Sequence, residues 1–284
     1  MESISGWTGD TELGWKAELE LGFAASGGRS ILARRRHFGP LTVQRPFHPE
    51  GDATCHVYAL HPPGGVVGGD QLLFNVHAAT GAHGLVTTPA ATKFYRTAGP
   101  TALQVQRLSV DPGGVLEWLP LETIVYPGAK AELCTHVELA GDGIYFGWEV
   151  VCLGLPTSNA PFDHGDFIQT LAVHRDGEPV LLERTHLTGG SDLLDEPWGL
   201  GGHTVFGTLV GTVDGDGLAA HIRALAGERE DDNIFSLTRV DGLTVCRVMG
   251  HNAFRVRELL AAAWGAMRMK RLGRGPCPPR VWNT

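Results

Sequence analysis

Alternation of apolar and polar residues at period two is what most limits the fold open to this 284-residue chain. Ala131, Leu133, Thr135, Val137 and Leu139 interleave with Glu132, Cys134, His136 and Glu138, the pattern of a strand with one buried face. Phe167, Gln169, Leu171 and Val173 repeat it. After the turn Arg175-Asp176-Gly177-Glu178-Pro179 a second strand runs from Val180 to Leu187, which makes a hairpin. Further strands are expected over 18–25, 29–35, 54–60, 72–78, 84–88, 102–110, 115–119, 144–153, 205–213, 234–240 and 243–249. Asp111-Pro112-Gly113-Gly114, Gly141-Asp142-Gly143 and Asp241-Gly242 punctuate them. The 39 glycines, nearly double the usual share of about 7%, suit a chain of many turns. Many short strands with little intervening helix predict an all-β-dominated fold.

Two segments carry helical spacing. The first lies at about 215–227, with Leu218, Ile222 and Leu225 on one face. The second runs over 252–272, where Val256, Leu259, Leu260, Ala263, Trp264 and Met267 form a wide apolar stripe. Asn252 is placed to cap its start, Lys270 and Arg271 suit its negative end, and Gly273 and Gly275 stop it. Residues 188–202 read as a long, partly mobile loop. The chain reads as one domain over 1–284, with a flexible N-terminus at 1–14 and a C-terminal tail at 274–284.

Composition excludes several functions. With 43% hydrophobic and 19% charged residues, the chain is an ordinary globular protein. No apolar run approaches the ~20 residues that span a bilayer, and the start MESISGWTGD lacks a signal-peptide pattern. The five cysteines have no C-x-x-C pair and read as reduced thiols of a cytoplasmic protein. Seven basic residues and one acid fall between Arg255 and Arg280, which leaves 16 basic against 30 acidic residues elsewhere. That acidic body argues against nucleic-acid binding. The basic segment offers either a solvated helix face or a dock for an acidic partner.

No phosphate-loop, H-E-x-x-H or G-x-S-x-G motif is present, and the 13 histidines show no ligand spacing on a helix. What stands out is a set of lone carboxylates among apolar strands. Asp70 follows the turn His61-Pro62-Pro63-Gly64-Gly65-Val66-Val67-Gly68-Gly69. Glu149 lies in Phe146-Gly147-Trp148-Glu149-Val150-Val151, and Glu183 in Leu181-Leu182-Glu183-Arg184. Such acids are costly to bury unless paired, hydrogen-bonded or turned toward water or a cation. Alternation puts Glu149 on the face opposite Trp148 and Val150, which is either solvent or an internal polar channel.

The sequence resembles the urease accessory protein family UreD, called UreH in some lineages. The likeness rests on His61-Pro62-Pro63-Gly64-Gly65 with Gly68-Gly69-Asp70, on Thr87-Thr88-Pro89 and on Thr92-Lys93-Phe94-Tyr95-Arg96. It continues in Leu116-Glu117-Trp118-Leu119-Pro120, Glu122-Thr123-Ile124, Cys152-Leu153-Gly154, Leu182-Glu183-Arg184 and the terminal Pro279-Arg280-Val281-Trp282-Asn283-Thr284. Ala90 and Leu121 depart from the family pattern. The resemblance implies a β-helix-like stack of short strands with a pair of helices. It implies a non-catalytic scaffold that binds the helical accessory protein UreF and, through it, the GTPase UreG, in an assembly with two copies of each. That assembly docks on apo-urease and helps deliver Ni²⁺. No tightly bound cofactor is implied, only the ion in transit through a polar passage whose matching positions are Asp70, Thr92, Glu149 and Glu183. Sparse carboxylates and hydroxyls suit a conduit, because imidazole and thiolate would trap the ion.

The helix at 252–272 and the tail are the segments expected to dock partners, through Val256, Leu260, Trp264, Met267, Arg271 and Trp282; packing on the protein's own sheet is the alternative. Two rival readings differ in class. One is an all-β hydrolase using Asp70 and Glu149 as acid and base. The other is a docking scaffold that handles no metal.

Overall fold

The structure, a computed structural model, describes residues 14–214, 217–226 and 232–283. Strand β1 (Lys16–Ser26) turns back as β2 (Arg29–Phe38), and β3 (Thr42–Val43) leads into β4 (Cys55–Leu60). The chain then coils. One turn holds β5 (Gln71–Ala78), β6 (His83–Thr87) and β7 (Thr92–Phe94); the next holds β8 (Ala102–Val110), β9 (Val115–Trp118) and β10 (Thr123–Val125). A third turn begins with β11 (Lys130–Leu139) and β12 (Ile144–Leu153). The hairpin β13 (Asp166–Arg175) and β14 (Glu178–Thr188) follows, then α1 (Asp192–Asp195), β15 (Val205–Gly211) and α2 (Leu218–Ala226). The described chain ends with β16 (Ile234–Val240), β17 (Leu243–Gly250), α3 (Ala253–Leu272) and a short 3₁₀ turn.

Successive strands of the coil fall alternately in two sheets, as in a β-solenoid. The first sheet has the order β14-β13-β11-β8-β5-β1-β2. Its strands from β13 to β1 are parallel, and an antiparallel partner closes each edge. The second has the order β16-β17-β15-β12-β9-β6-β4-β3, with β10 beside β12 and β7 beside β10. Every expected strand is present, including the hairpin, whose Asp176 and Gly177 both have positive φ. The segments β3, β7 and β10 are too short to show a period and were not expected. Residues 188–202 are not plain loop: α1 adds a third helix, and Leu200 N–H bonds Leu193 C=O at 2.8 Å. The expected N-terminal segment lies almost wholly outside the described residues.

Strand alternation sorts the interior into two cores. Alternate residues such as Leu19, Phe74, Leu133, Val137 and Tyr145 fill the space between the sheets. Phe146, Trp148, Val150 and Cys152, on the other face of β12, join Leu209, Val248 and the stripe of α3 in a second core. Gly207 and Gly211 make room for the helix, since a Cβ there would meet Leu260 and the Met267 sulfur at 2.8 Å. As expected, Asn252 caps α3, accepting from Arg255 N–H at 3.1 Å, and Gly273 ends it at φ 66°. The molecule is therefore three layers: sheet, sheet, helix.

Candidate functional site: a polar seam between the sheets

Two adjacent rows of the inter-sheet face break its apolar character. Register places Gln104, Leu133, Gln169 and Thr185 side by side across β8, β11, β13 and β14. The next row is Gln106, Thr135, Leu171 and Glu183. Across the gap, the second sheet presents Glu149, Thr208, Arg247 and Ser236 in one row over β12, β15, β17 and β16. In-facing polar side chains thus meet from both sheets at one level of the core.

Glu149 is at the centre, 7% exposed. Thr135 Oγ1 donates to one of its carboxylate oxygens and Gln169 Nε2 to the other. Thr135 also lies 3.1 Å from Gln106 Oε1. Among the described residues no cation is bonded to Glu149. Burial raises its pKa; the Thr135 and Gln169 hydrogen bonds offset part of that, and the charge of Glu183 adds to it. Glu183 forms an ion pair with Arg247. Gln169 connects the two acids, bonding Glu149 while lining a cavity of about 230 Å³ that contains Glu183 and Arg247.

On the other side, Glu149 borders a narrow space of about 20 Å³ walled by Thr92, Thr123, Gln104 and Gln106. That space shares Phe74, Thr88, Thr92 and Gln104 with a cavity of about 290 Å³ beside His61 and Lys93. The buried amide oxygen of Gln104, at the junction, has no hydrogen-bond partner. An orphaned buried acceptor costs about 1–3 kcal/mol, so it marks a place for a polar guest.

Of the four acids and hydroxyls picked from sequence, Thr92, Glu149 and Glu183 belong to this seam. Asp70 does not line it. Its carboxylate accepts from Trp15 N–H at 2.8 Å and Val67 N–H at 3.0 Å, fastening the glycine turn to the first strand. The turn glycines have a similar use: a Cβ on Gly65 would collide with the Tyr95 ring, and one on Gly68 with Thr97. The neutral members Gln104, Gln106, Thr135 and Gln169, and the cation Arg247, were not singled out in the sequence. The signal was available, since each occupies an in-facing position of a period-two strand.

The expected docking residues are used internally. Val256, Leu260, Trp264 and Met267 are 0% exposed against the second sheet, and Trp282 is 7% exposed. The Trp282 ring packs at a tilt of 45° against Trp148, centroids 5.1 Å apart, and donates its Nε1 to Thr87 Oγ1 at 2.9 Å. Of that set, Arg271 alone is exposed. Of the expected tail, the described residues 274–283 are tied down: Arg268 holds the Gly275 carbonyl at 2.6 Å. Much of the basic charge is spent the same way. Arg257 pairs with Glu122, Arg268 with Glu117 and Glu50, and Arg274 with Glu50. Glu117, fully buried, also accepts from His83 Nε2 and Trp264 Nε1, both at 2.5 Å.

Fold and seam together define a β-solenoid-like scaffold with an acid-bearing interior between its sheets. The sequence comparisons agree on one family. The family model described as "UreD urease accessory protein" matches residues 16–283. The chain is 45% identical over 272 residues to the urease accessory protein UreD of Pseudomonas fluorescens strain Pf0-1, covering 95% of each chain. It is 44% identical over 271 residues to that of Alkalilimnicola ehrlichii, covering 95% of this chain and 92% of the relative, and 44% identical to that of Azoarcus sp. strain BH72. The chain belongs to the UreD family of urease accessory proteins, with a part in urease maturation.

Proposed function

We propose that this protein passes Ni²⁺ along the polar seam toward apo-urease while acting as a scaffold for its accessory partners, the helical UreF and the GTPase UreG. Nickel is cargo in this reading, not a resident cofactor. The observation that carries it is Glu149: a buried carboxylate held by two neutral donors, with no cation of the protein beside it. An arriving divalent ion supplies the missing countercharge and displaces the proton that burial favours. Only hydroxyls, amides and carboxylates flank the ion there, a hard and sparse ligand set from which it can leave.

Glu183 borders the next cavity but is already paired with Arg247, so an ion arriving there must displace that guanidinium, and Glu149 carries the reading. Asp70 is left out of this route, because its carboxylate is turned to the backbone amides of Trp15 and Val67. Partner docking belongs to surfaces other than the buried stripe of α3, with Arg271 the available member of the predicted set. The hydrolase reading loses its acid–base pair, since Asp70 and Glu149 line no common cavity among the described residues.

The test is co-expression of the urease operon with the Glu149→Gln/Glu183→Gln double variant. Urease is expected to accumulate normally but to carry much less nickel per active site. Full loading at equal levels of accessory protein would sink the passage and leave a metal-independent scaffold.

A further inference from the structure

Three chain segments converge at the end of the second sheet beyond the seam. His203 lies two residues before β15, Asp232 two before β16, and His251 follows β17 directly. The ladder pairs Val205 with Gly250 and Ile234 with Met249, so the sheet itself brings the three together. One ligand atom from each residue lies within 4.8 Å of the others, the one such trio found among the described residues. We propose that His203, Asp232 and His251 form a binding site for a first-row divalent transition metal.

The hydrogen bonds at His203 carry the argument. Its Nδ1 is 2.7 Å from the Leu200 carbonyl and its Nε2 is 3.1 Å from the Asp232 carbonyl. A neutral imidazole has a single N–H. With that proton given to Leu200, the Nε2 lone pair faces the lone pairs of a second acceptor. Two acceptors in that position repel, and either a second ring proton or a metal ion at Nε2 relieves them; the nearby carboxylate and second imidazole make the metal the better fit. The His251 ring lies stacked on His203, centroids 5.1 Å apart and planes at 16°, with its Nε2 3.2 Å from Asp232 Oδ2. Protonating both stacked rings would place two positive charges face to face. A metal satisfies both nitrogens and the carboxylate while each ring stays neutral.

Second-sphere geometry agrees. A proton on Nδ1, given to the nearer carbonyl of Leu200, bares Nε2, the arrangement common behind metal-ligating histidines. Metal–ligand bonds of about 2.1 Å need ligand atoms roughly 3 Å apart. The His251 and Asp232 side chains, 48% and 68% exposed, are free to close that distance by rotation. Two imidazoles and one carboxylate suit Ni²⁺, Co²⁺, Zn²⁺ or Cu²⁺ over Mg²⁺ or Ca²⁺.

The site is two rows from the seam, with Phe206, Met249 and Ile234 in the row between. Leu200, Ile234 and Met249, which adjoin its three residues in space or sequence, line the cavity that holds Glu183 and Arg247. That position makes it a loading point for ions bound for the seam, a role that rests on the passage reading. The metal site itself does not.

Two measurements separate them. The purified full-length chain is titrated with Ni²⁺ and Co²⁺ against a chromophoric chelator, and the Co²⁺ spectrum is recorded for imidazole ligation. His203→Ala and His251→Ala are each expected to weaken binding by at least the ~10–100-fold that follows loss of an outer-sphere partner. Asp232→Asn should do so more mildly, and Glu149→Gln, which alters the seam, should leave the imidazole-ligated Co²⁺ spectrum in place. Undiminished affinity in the His203→Ala/His251→Ala double variant, or loss only in Glu149→Gln, overturns the site. Asp232 and His251 are exposed and His203 is half-buried, so circular dichroism of each variant should match the parent. If metal binding is lost but urease is loaded normally, the site stands and only its loading role falls.

Discussion

Glu117 and Glu149 are the same residue type at nearly the same depth, in the two cores of one molecule, and their protons behave in opposite ways. Burial raises both. At Glu117 the hydrogen bond and charge of His83, the charge of Arg268 and the Trp264 N–H overcome it, so the pKa ends below the usual value. At Glu149 only Thr135 and Gln169 oppose burial, Glu183 reinforces it, and the pKa ends high. The difference lies in the countercharge. Where the chain provides its own cation, a buried acid fastens a helix to a sheet. Where it withholds one, the acid remains responsive to an ion from outside.

Breaking the lock should have the largest effect. Arg268→Met leaves Glu117 and Glu50 buried without their guanidinium and is expected to cost about 3–5 kcal/mol, read from urea unfolding. Truncation before residue 274 should likewise destabilise the chain, because it removes Trp282 from between Trp148 and Trp264. Loss of partner binding in that truncation would then report unfolding rather than docking. By contrast, Glu149→Gln is expected to be neutral or stabilising, by about 1 kcal/mol at neutral pH, since it replaces an acid that burial disfavours in its ionised form with a neutral amide of the same shape.

Acid should sharpen the contrast. Glu50, despite the opposing effect of burial, is held down to about 2 by the hydrogen bonds and charges of His56 and Arg268. Glu50 and Glu117 therefore contribute stability that is present above their unfolded value of about 4.5 and lost as pH falls toward their folded values. Glu149 has the reverse sign. Its folded pKa is raised, so its penalty is greatest above that raised value and is relieved as pH falls through it toward 4.5. Urea midpoints of the parent and Glu149→Gln should thus differ at pH 7.5 and converge near pH 4.5. A gap that widens on acidification would contradict the assignment.

Much of the fold was legible because its strands are long enough to show period two. The alternation over 131–139 and 167–173 located the inner faces, and Asn252 and Gly273 bounded α3. What sequence could not show was which partner each face would meet. The apolar stripe of α3 read equally well as a docking surface or as core, and only the glycines of β15 and the depth of Trp264 decide for core. The basic run at 255–280 was visible as charge, but its acids, Glu50, Glu117 and Glu122, lie over a hundred residues away. For Asp70, a carboxylate after a glycine turn looked free until the amides of Trp15 and Val67 were placed on it. The seam was half visible. Attention to charge found Glu149 and Glu183 and passed over the glutamines between them, whose role depends on register across strands far apart in sequence.

The most direct test targets Gln169, which bonds Glu149 and walls the Glu183 cavity without carrying charge. Gln169→Leu keeps the volume roughly constant, leaves both acids in place and removes the polar link between the two halves of the seam. Nickel per active site should be measured in urease matured alongside this variant, with the variant's abundance and partner binding matched to the parent. The account predicts urease of normal yield and sharply reduced nickel content. Nickel at the parental level would show that no ion travels between these sheets.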